Sequence, residues 1–202
     1  MFNELLIGIF LFVNILGAPV PVNTGVCLNE QEYELANLVN EYRVENGKAA
    51  LPISFWLSST GQWHVWDRVA NNAVGGICNT HSWSDAMPQL WQAVCYTSDH
   101  AQAQQMWRKP FQISGGIYTG NGFENAADSF NQTAQHALDQ WKNSPAHNAV
   151  ILQQGQWASV PFSGLGVGLI DNYAVLWFGD RVDPSGTMTI CPQENIFNNG
   201  FE

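Results

Sequence analysis

The groups in this 202-residue sequence that could do chemistry are few, and three of them stand in suggestive company. His81 lies in Asn79-Thr80-His81-Ser82, Glu124 in Gly122-Phe123-Glu124-Asn125, and His147 closes Trp141-Lys142-Asn143-Ser144-Pro145-Ala146-His147. Two neutral imidazoles and a carboxylate suit zinc or a similar divalent ion. The same three groups without a metal can act as acid and base. The plainer alternative is structural, with Glu124 bonding backbone amides or a histidine and bracing its loop. Ser144 and Pro145 read as N-cap and first residue of a short helix, which puts His147 at its third position. The positive end of that helix disfavours an imidazolium, so His147 is expected to stay neutral.

The other candidates have simpler readings. His64, between Trp63 and Trp66, reads as a histidine at the edge of the core. His100 in Ser98-Asp99-His100 pairs with its neighbour or caps a turn, and His136 falls on the outer side of a helix. Ser82 is adjacent to His81, a spacing that rarely gives Ser–His nucleophile geometry. Trp83, Trp91 and Trp107 are core residues by default, or the lining of a sugar or lipid groove. Asn131-Gln132-Thr133 is a glycosylation sequon on a predicted helix.

Composition removes several function classes. There are 17 acids against seven bases, a net charge of −10, and the bases are scattered, which argues against nucleic acid as a partner. No GxxxxGK[ST], HExxH or CxxC pattern occurs. Charged residues are only 12%, yet nine Trp, eleven Phe and five Tyr supply a core rather than disorder.

The elements that must position these residues follow from periodicity. Asn29-Glu30-Gln31-Glu32 is a capping-box start; Leu35, Leu38, Val39 and Tyr42 recur at helical spacing until Gly47. A second helix is expected over about 55–70, with Leu57, His64, Val65 and Val69 inward and Gly61 as a site of close packing. Residues 71–123 read as irregular. A third helix is expected over 129–142 with Phe130, Ala134, Ala137, Leu138 and Trp141 as its stripe. Leu165, Val167 and Leu169 alternate before Asp171-Asn172, and Tyr173, Val175 and Trp177 after it, which makes a hairpin. Helices first and strands last give an α+β class.

Residues 5–18 form an apolar run that suits a signal peptide, so residues 1–18 are expected to be a leader and the protein secreted or periplasmic. Four cysteines form an even set with three possible pairings. Cys78–Cys95, looping around His81, and Cys27–Cys191, clipping the termini, are the favoured ones. The domain is expected over 29–191, with a short tail over 192–202.

Taken in order, Asn40, Arg43, Asn46-Gly47, Leu51-Pro52, the three motifs above and Gly164-Leu165-Gly166-Val167-Gly168 resemble the CAP superfamily. That superfamily contains cysteine-rich secretory proteins, antigen 5 and plant pathogenesis-related proteins, and the resemblance is to its compact bacterial branch. It runs from about Glu32 to Gly179. It implies a three-layer α-β-α sandwich with a small antiparallel sheet, and a cleft of two His and two Glu that sometimes holds a divalent metal. Carried over by position, these are His81, Glu124 and His147. The fourth departs, because Ser144 stands where animal and plant members have Glu. Phe123 also separates Gly122 from Glu124, which the family joins directly, and Ala146 stands where the bacterial branch commonly has Gly. The resulting expectation is a monomeric extracellular module that binds a lipid, glycan or protein surface, with Zn2+ as the possible cofactor. The alternative is a metal-assisted, peptidase-like hydrolase using His81, Glu124 and His147.

Overall fold

The computed structural model describes residues 27–192. The leader expected over 1–18 lies outside them, as does the tail beyond residue 192. The first helix, α1 (Glu30–Glu45), begins as its capping box dictates: Asn29 Oδ1 accepts from the Glu32 N–H at 2.9 Å, and Glu32 Oε2 accepts from the Asn29 N–H at 3.0 Å. Helix α2 (Phe55–Asn71) is capped by Ser54. Its free N-terminal donors draw a distant acid as well, since Asp183 accepts from the Trp56 N–H at 2.7 Å and from the Ser54 hydroxyl at 2.5 Å.

Three strands follow: β1 (Gly122–Asp128), β2 (Gly164–Ile170) and β3 (Tyr173–Gly179). The expected hairpin pairs β2 with β3 around Asp171-Asn172, and β1 adds to the other side of β3, giving the antiparallel order β1-β3-β2. Alternation sorts the side chains into two cores. Leu165, Val167, Leu176 and Phe178 join α1, α5 (Ala134–Asn143) and α6 (Pro145–Ile151) on one face. Tyr173, Val175 and Trp177 join α2, Trp83, Trp91 and Tyr96 on the other. The α+β class and the α-β-α layering are therefore present.

Glycine fixes how closely α2 approaches the sheet. A Cβ on Gly166 would lie 2.1 Å from the Leu57 carbonyl carbon, and one on Gly168 would lie 2.3 Å from the Gly61 carbonyl group. Gly61, a helix weakener by propensity, is retained because a Cβ there would lie 2.7 Å from the Val167 carbonyl. Helix and strand touch backbone to backbone.

Two local expectations fail. The third helix starts at Ala134 rather than 129, because Asn131 turns with φ 55° and Thr133 caps the helix through the His136 N–H. Phe130 is consequently 81% exposed and outside the stripe, and the sequon sits in the turn before the helix. The stretch 71–123 also contains two short helices, α3 (Ala103–Trp107) and α4 (Lys109–Ile113), too short for a period to show. Both favoured disulfides form, Cys27–Cys191 and Cys78–Cys95, with Cα separations of 4.9 and 4.8 Å.

Gly168→Ala should lower the unfolding free energy by about 2–3 kcal/mol, at the upper end of overpacking costs, in urea unfolding with disulfides intact. A loss under about 1 kcal/mol would mean that α2 can ride outward without harm.

Candidate functional site

Because Phe123 packs into the first core against Trp107 and Trp157, the next side chain on β1, that of Glu124, must point to the opposite face. There it meets α2. Glu124 Oε1 lies 2.5 Å from His64 Nδ1, and both side chains are shut from solvent. Oε2 lies 2.7 Å from His81 Nδ1, a hydrogen bond in which the imidazole donates. His64 is held by a stack on Trp83 at 4.3 Å. Its Nε2 is 3.2 Å from the Ser82 carbonyl oxygen, which only accepts, so that nitrogen carries a proton. At Nδ1 the ring faces a carboxylate oxygen. The approach is close but off the N–H axis, which makes it a charge contact rather than a directed hydrogen bond.

His81 sits in the loop closed by Cys78–Cys95. Asn79 N–H donates to the Tyr96 carbonyl at 2.8 Å and the Asn79 side chain accepts from the His81 N–H at 3.1 Å, which fixes the ring's base. With Nδ1 donating to Glu124, the other ring nitrogen of His81 is the one left for a ligand. His147 is at the third position of α6, as expected. Ser144 caps no amide of that helix; its hydroxyl is hydrogen-bonded to His147 Nδ1 at 2.8 Å instead. The His147 carbonyl accepts from Asn125 Nδ2 at 3.0 Å, tying α6 to β1. His81, Glu124 and His147 all line one cleft of about 420 Å³, together with Tyr96, His100, Met106 and Trp157.

Charge and burial set the protonation states. Burial alone would raise the Glu124 carboxyl, but the imidazoles of His64 and His81 reverse this and hold it at about 2. Burial opposes a charge on His81, yet Glu124 outweighs it and His81 is raised above its ordinary value. His147 is lowered, first by burial and then by His81, against a smaller pull from Glu124. The direction matches the neutral imidazole expected, with burial rather than the helix end as the main cause.

His64 is the member that sequence reasoning left out, although its place on the inner face of α2 was legible. A titratable group with no exposure needs a partner, and that requirement was the available signal. His100 closes a turn, its N–H donating to the Thr97 carbonyl at 3.0 Å, but its ring turns away from Asp99. Asp99 bonds the Thr97 hydroxyl and the Ala101 amide, while His100 takes φ 58°, bonds the Tyr96 hydroxyl at 3.0 Å and lines the cleft. Ser82 is buried and its hydroxyl accepts from the Tyr96 N–H, so it is no nucleophile. Trp83 and Trp91 are core, and His136 is outward, bonded to Gln140. Among the described residues no group of three or more His, Cys, Asp and Glu side chains is placed to hold a metal ion.

No family model and no curated protein matches the sequence. Among solved structures, an outer surface protein from Borrelia burgdorferi matches 78% of this chain and 98% of its own, with a TM-score of 0.50 and 15% identity. A cysteine-rich secretory protein from Staphylococcus aureus (TM-score 0.49, 15% identity) and an extracellular SCP-domain protein from Bacillus anthracis (0.49, 20%) each match 75% of this chain. In fold, the chain is similar to the Borrelia protein. The matched part spans 39% and 40% of the staphylococcal and Bacillus chains.

A carboxyl held at about 2 rather than 4.5 contributes about 3 kcal/mol of stability, present above pH 4.5 and lost as pH falls toward 2. His81, raised, contributes stability that is present below 6.5 and lost as pH rises through its folded value. Glu124→Gln should remove both slopes from a urea-unfolding series across pH. It should also move the His81 ring titration, followed by NMR, to lower pH. An unchanged His81 titration would mean that Glu124 does not set the state of that ring.

Proposed function

We propose that the protein is an extracellular, monomeric CAP/SCP-type module that binds a ligand in the cleft between His81 and His147. The observation that carries this is the use made of Glu124. Both its oxygens are turned inward onto His64 and His81, so the one acid among the described residues of the cleft acts as a brace, and the cleft's imidazole and aromatic groups are left to meet a ligand. Among the described residues, those lining the cleft include no serine, threonine, cysteine or lysine that could act as a covalent nucleophile. Secretion fits with the two disulfides, and no described helix is long and apolar enough to cross a membrane.

Zinc is a second reading, favoured by the hydrogen bond from His81 to Glu124. A carboxylate behind an imidazole orients it and raises its basicity as a ligand. With Glu124 used that way, His81 and His147 would hold the ion. Bound there, zinc would supply an electrophile or an activated water, the chemistry that the hydrolase alternative requires.

Ring resonances of His81 and His147 should move when dodecanoate, chitotetraose or an acetylated heptapeptide is added at up to about 1 mM, with at least one probe active. Ala146→Trp, a change at an exposed rim position, should abolish the response. In calorimetry, zinc should bind the parent and fail to bind His81→Ala and His147→Ala. Silence from all three organic probes would end the binding reading, and zinc binding that survives both substitutions would end the zinc reading.

A further inference from the structure

Among the described residues the sheet has one open edge, and the cleft lies along it. Ser163 N–H donates to the Gly179 carbonyl at 2.7 Å, so Gly179 turns its main-chain groups toward β2. By alternation Trp177 and Val175 do the same, while Phe178, Leu176 and Ala174 turn toward β1. Phe123, Asn125 and Ala127, paired with those three, make the ladder, and Gly122, Glu124 and Ala126 face away from the sheet. An independent contact agrees: Trp141 Nε1 reaches across from α5 and donates to the Ala126 carbonyl at 3.0 Å. Ala126 and Gly122 are buried. Glu124 is different. Its side chain is 2% exposed, yet the residue as a whole is only half-buried, so its exposed part is main chain.

Neither the N–H nor the C=O of Glu124 has a hydrogen-bond partner among the described residues. The opposite edge of the sheet is treated otherwise. On β2, Leu165 bonds Pro52 and Ser54 through both main-chain groups, and the Leu169 N–H bonds Glu32 Oε1 at 3.3 Å. Sheet edges are normally covered or blunted in this way.

We propose that the free edge of β1 at Glu124 is a main-chain docking site for an extended peptide segment, which pairs with the Glu124 N–H and C=O inside the cleft. The proposal rests on the ligand-binding reading of the cleft and names its ligand. The walls fit a strand. Tyr96 and Met106 belong to the core on Glu124's side of the sheet, Val150 and Trp157 to the opposite one. A peptide residue opposite Glu124 directs its side chain toward the first pair, and its two neighbours direct theirs toward the second. Apolar or aromatic side chains are selected at all three positions. Charge favours a peptide with basic flanks, because the chain carries −10.

The test uses a heptapeptide with a lysine at each end and alternating valine and leucine between, added to the full chain. It should bind, protect the Glu124 amide from hydrogen exchange, and lose binding in Ala146→Trp. N-methylation walked along the peptide should weaken binding by about tenfold or more at the one residue that pairs with Glu124 and by less than about twofold at the other positions. Uniform tolerance of N-methylation, no protection at Glu124, or no binding at about 1 mM overturns the proposal. Dodecanoate or chitotetraose binding without the peptide would sink strand pairing alone. If all three probes are silent, the cleft reading falls with it.

Discussion

The burial of one carboxylate organises this protein. A charge taken out of water costs several kcal/mol unless it is paired, and Glu124 is paired twice, by a ring from α2 and a ring from the disulfide loop. Each partner is itself fixed by something distant. His64 is stacked on Trp83, and Lys109 lies 5.1 Å from the Trp83 ring. Burial pushes that lysine down to about 7, against the pull of Asp67. Tyr173 packs edge-on to His64 and donates its hydroxyl to the Thr80 carbonyl, one residue before His81. The carboxylate thus joins the sheet, α2 and the loop 78–95 into one unit.

That arrangement is possible only because α2 lies on the strands without side chains between. Gly61, Gly166 and Gly168 remove the Cβ atoms that would hold helix and sheet apart. His64 is one turn beyond Gly61, so the same close approach that seats the helix carries the ring to Glu124. A wider spacing would leave the charge with one partner. Packing and electrostatics are therefore a single constraint seen from two sides.

The other face of β1 obeys the same strand alternation with a different outcome. Phe123 and Asn125 point away from Glu124, into the first core and toward α6. Phe123, the residue that departs from the family pattern, packs against Trp107, Trp157 and Phe162. Asn125 binds the carbonyl of His147 and so sets the height of α6 above the strand. The cleft opens where the two faces meet, at the edge that no other described strand covers.

Much of this was written locally. The capping box at Asn29, the Gly47 stop, the Asp171-Asn172 hairpin and the positions of His81, Glu124 and His147 depend on neighbours within a few residues or on an ordered set of short motifs, and such signals survive in sequence. Four cysteines narrowed the disulfides to three arrangements, and the fold chose among them. Tertiary structure decided the rest. Phe130 has helical spacing but is excluded by the left-handed turn at Asn131, which periodicity does not register. The helices α3 and α4 are held by contacts beyond their own five residues. His64 was legible as an inward position, but its partner lies sixty residues away on another element, and only the sheet register brings them together. The sequence determined that a buried histidine would need an acid; which acid it received depended on three glycines letting a helix touch a strand.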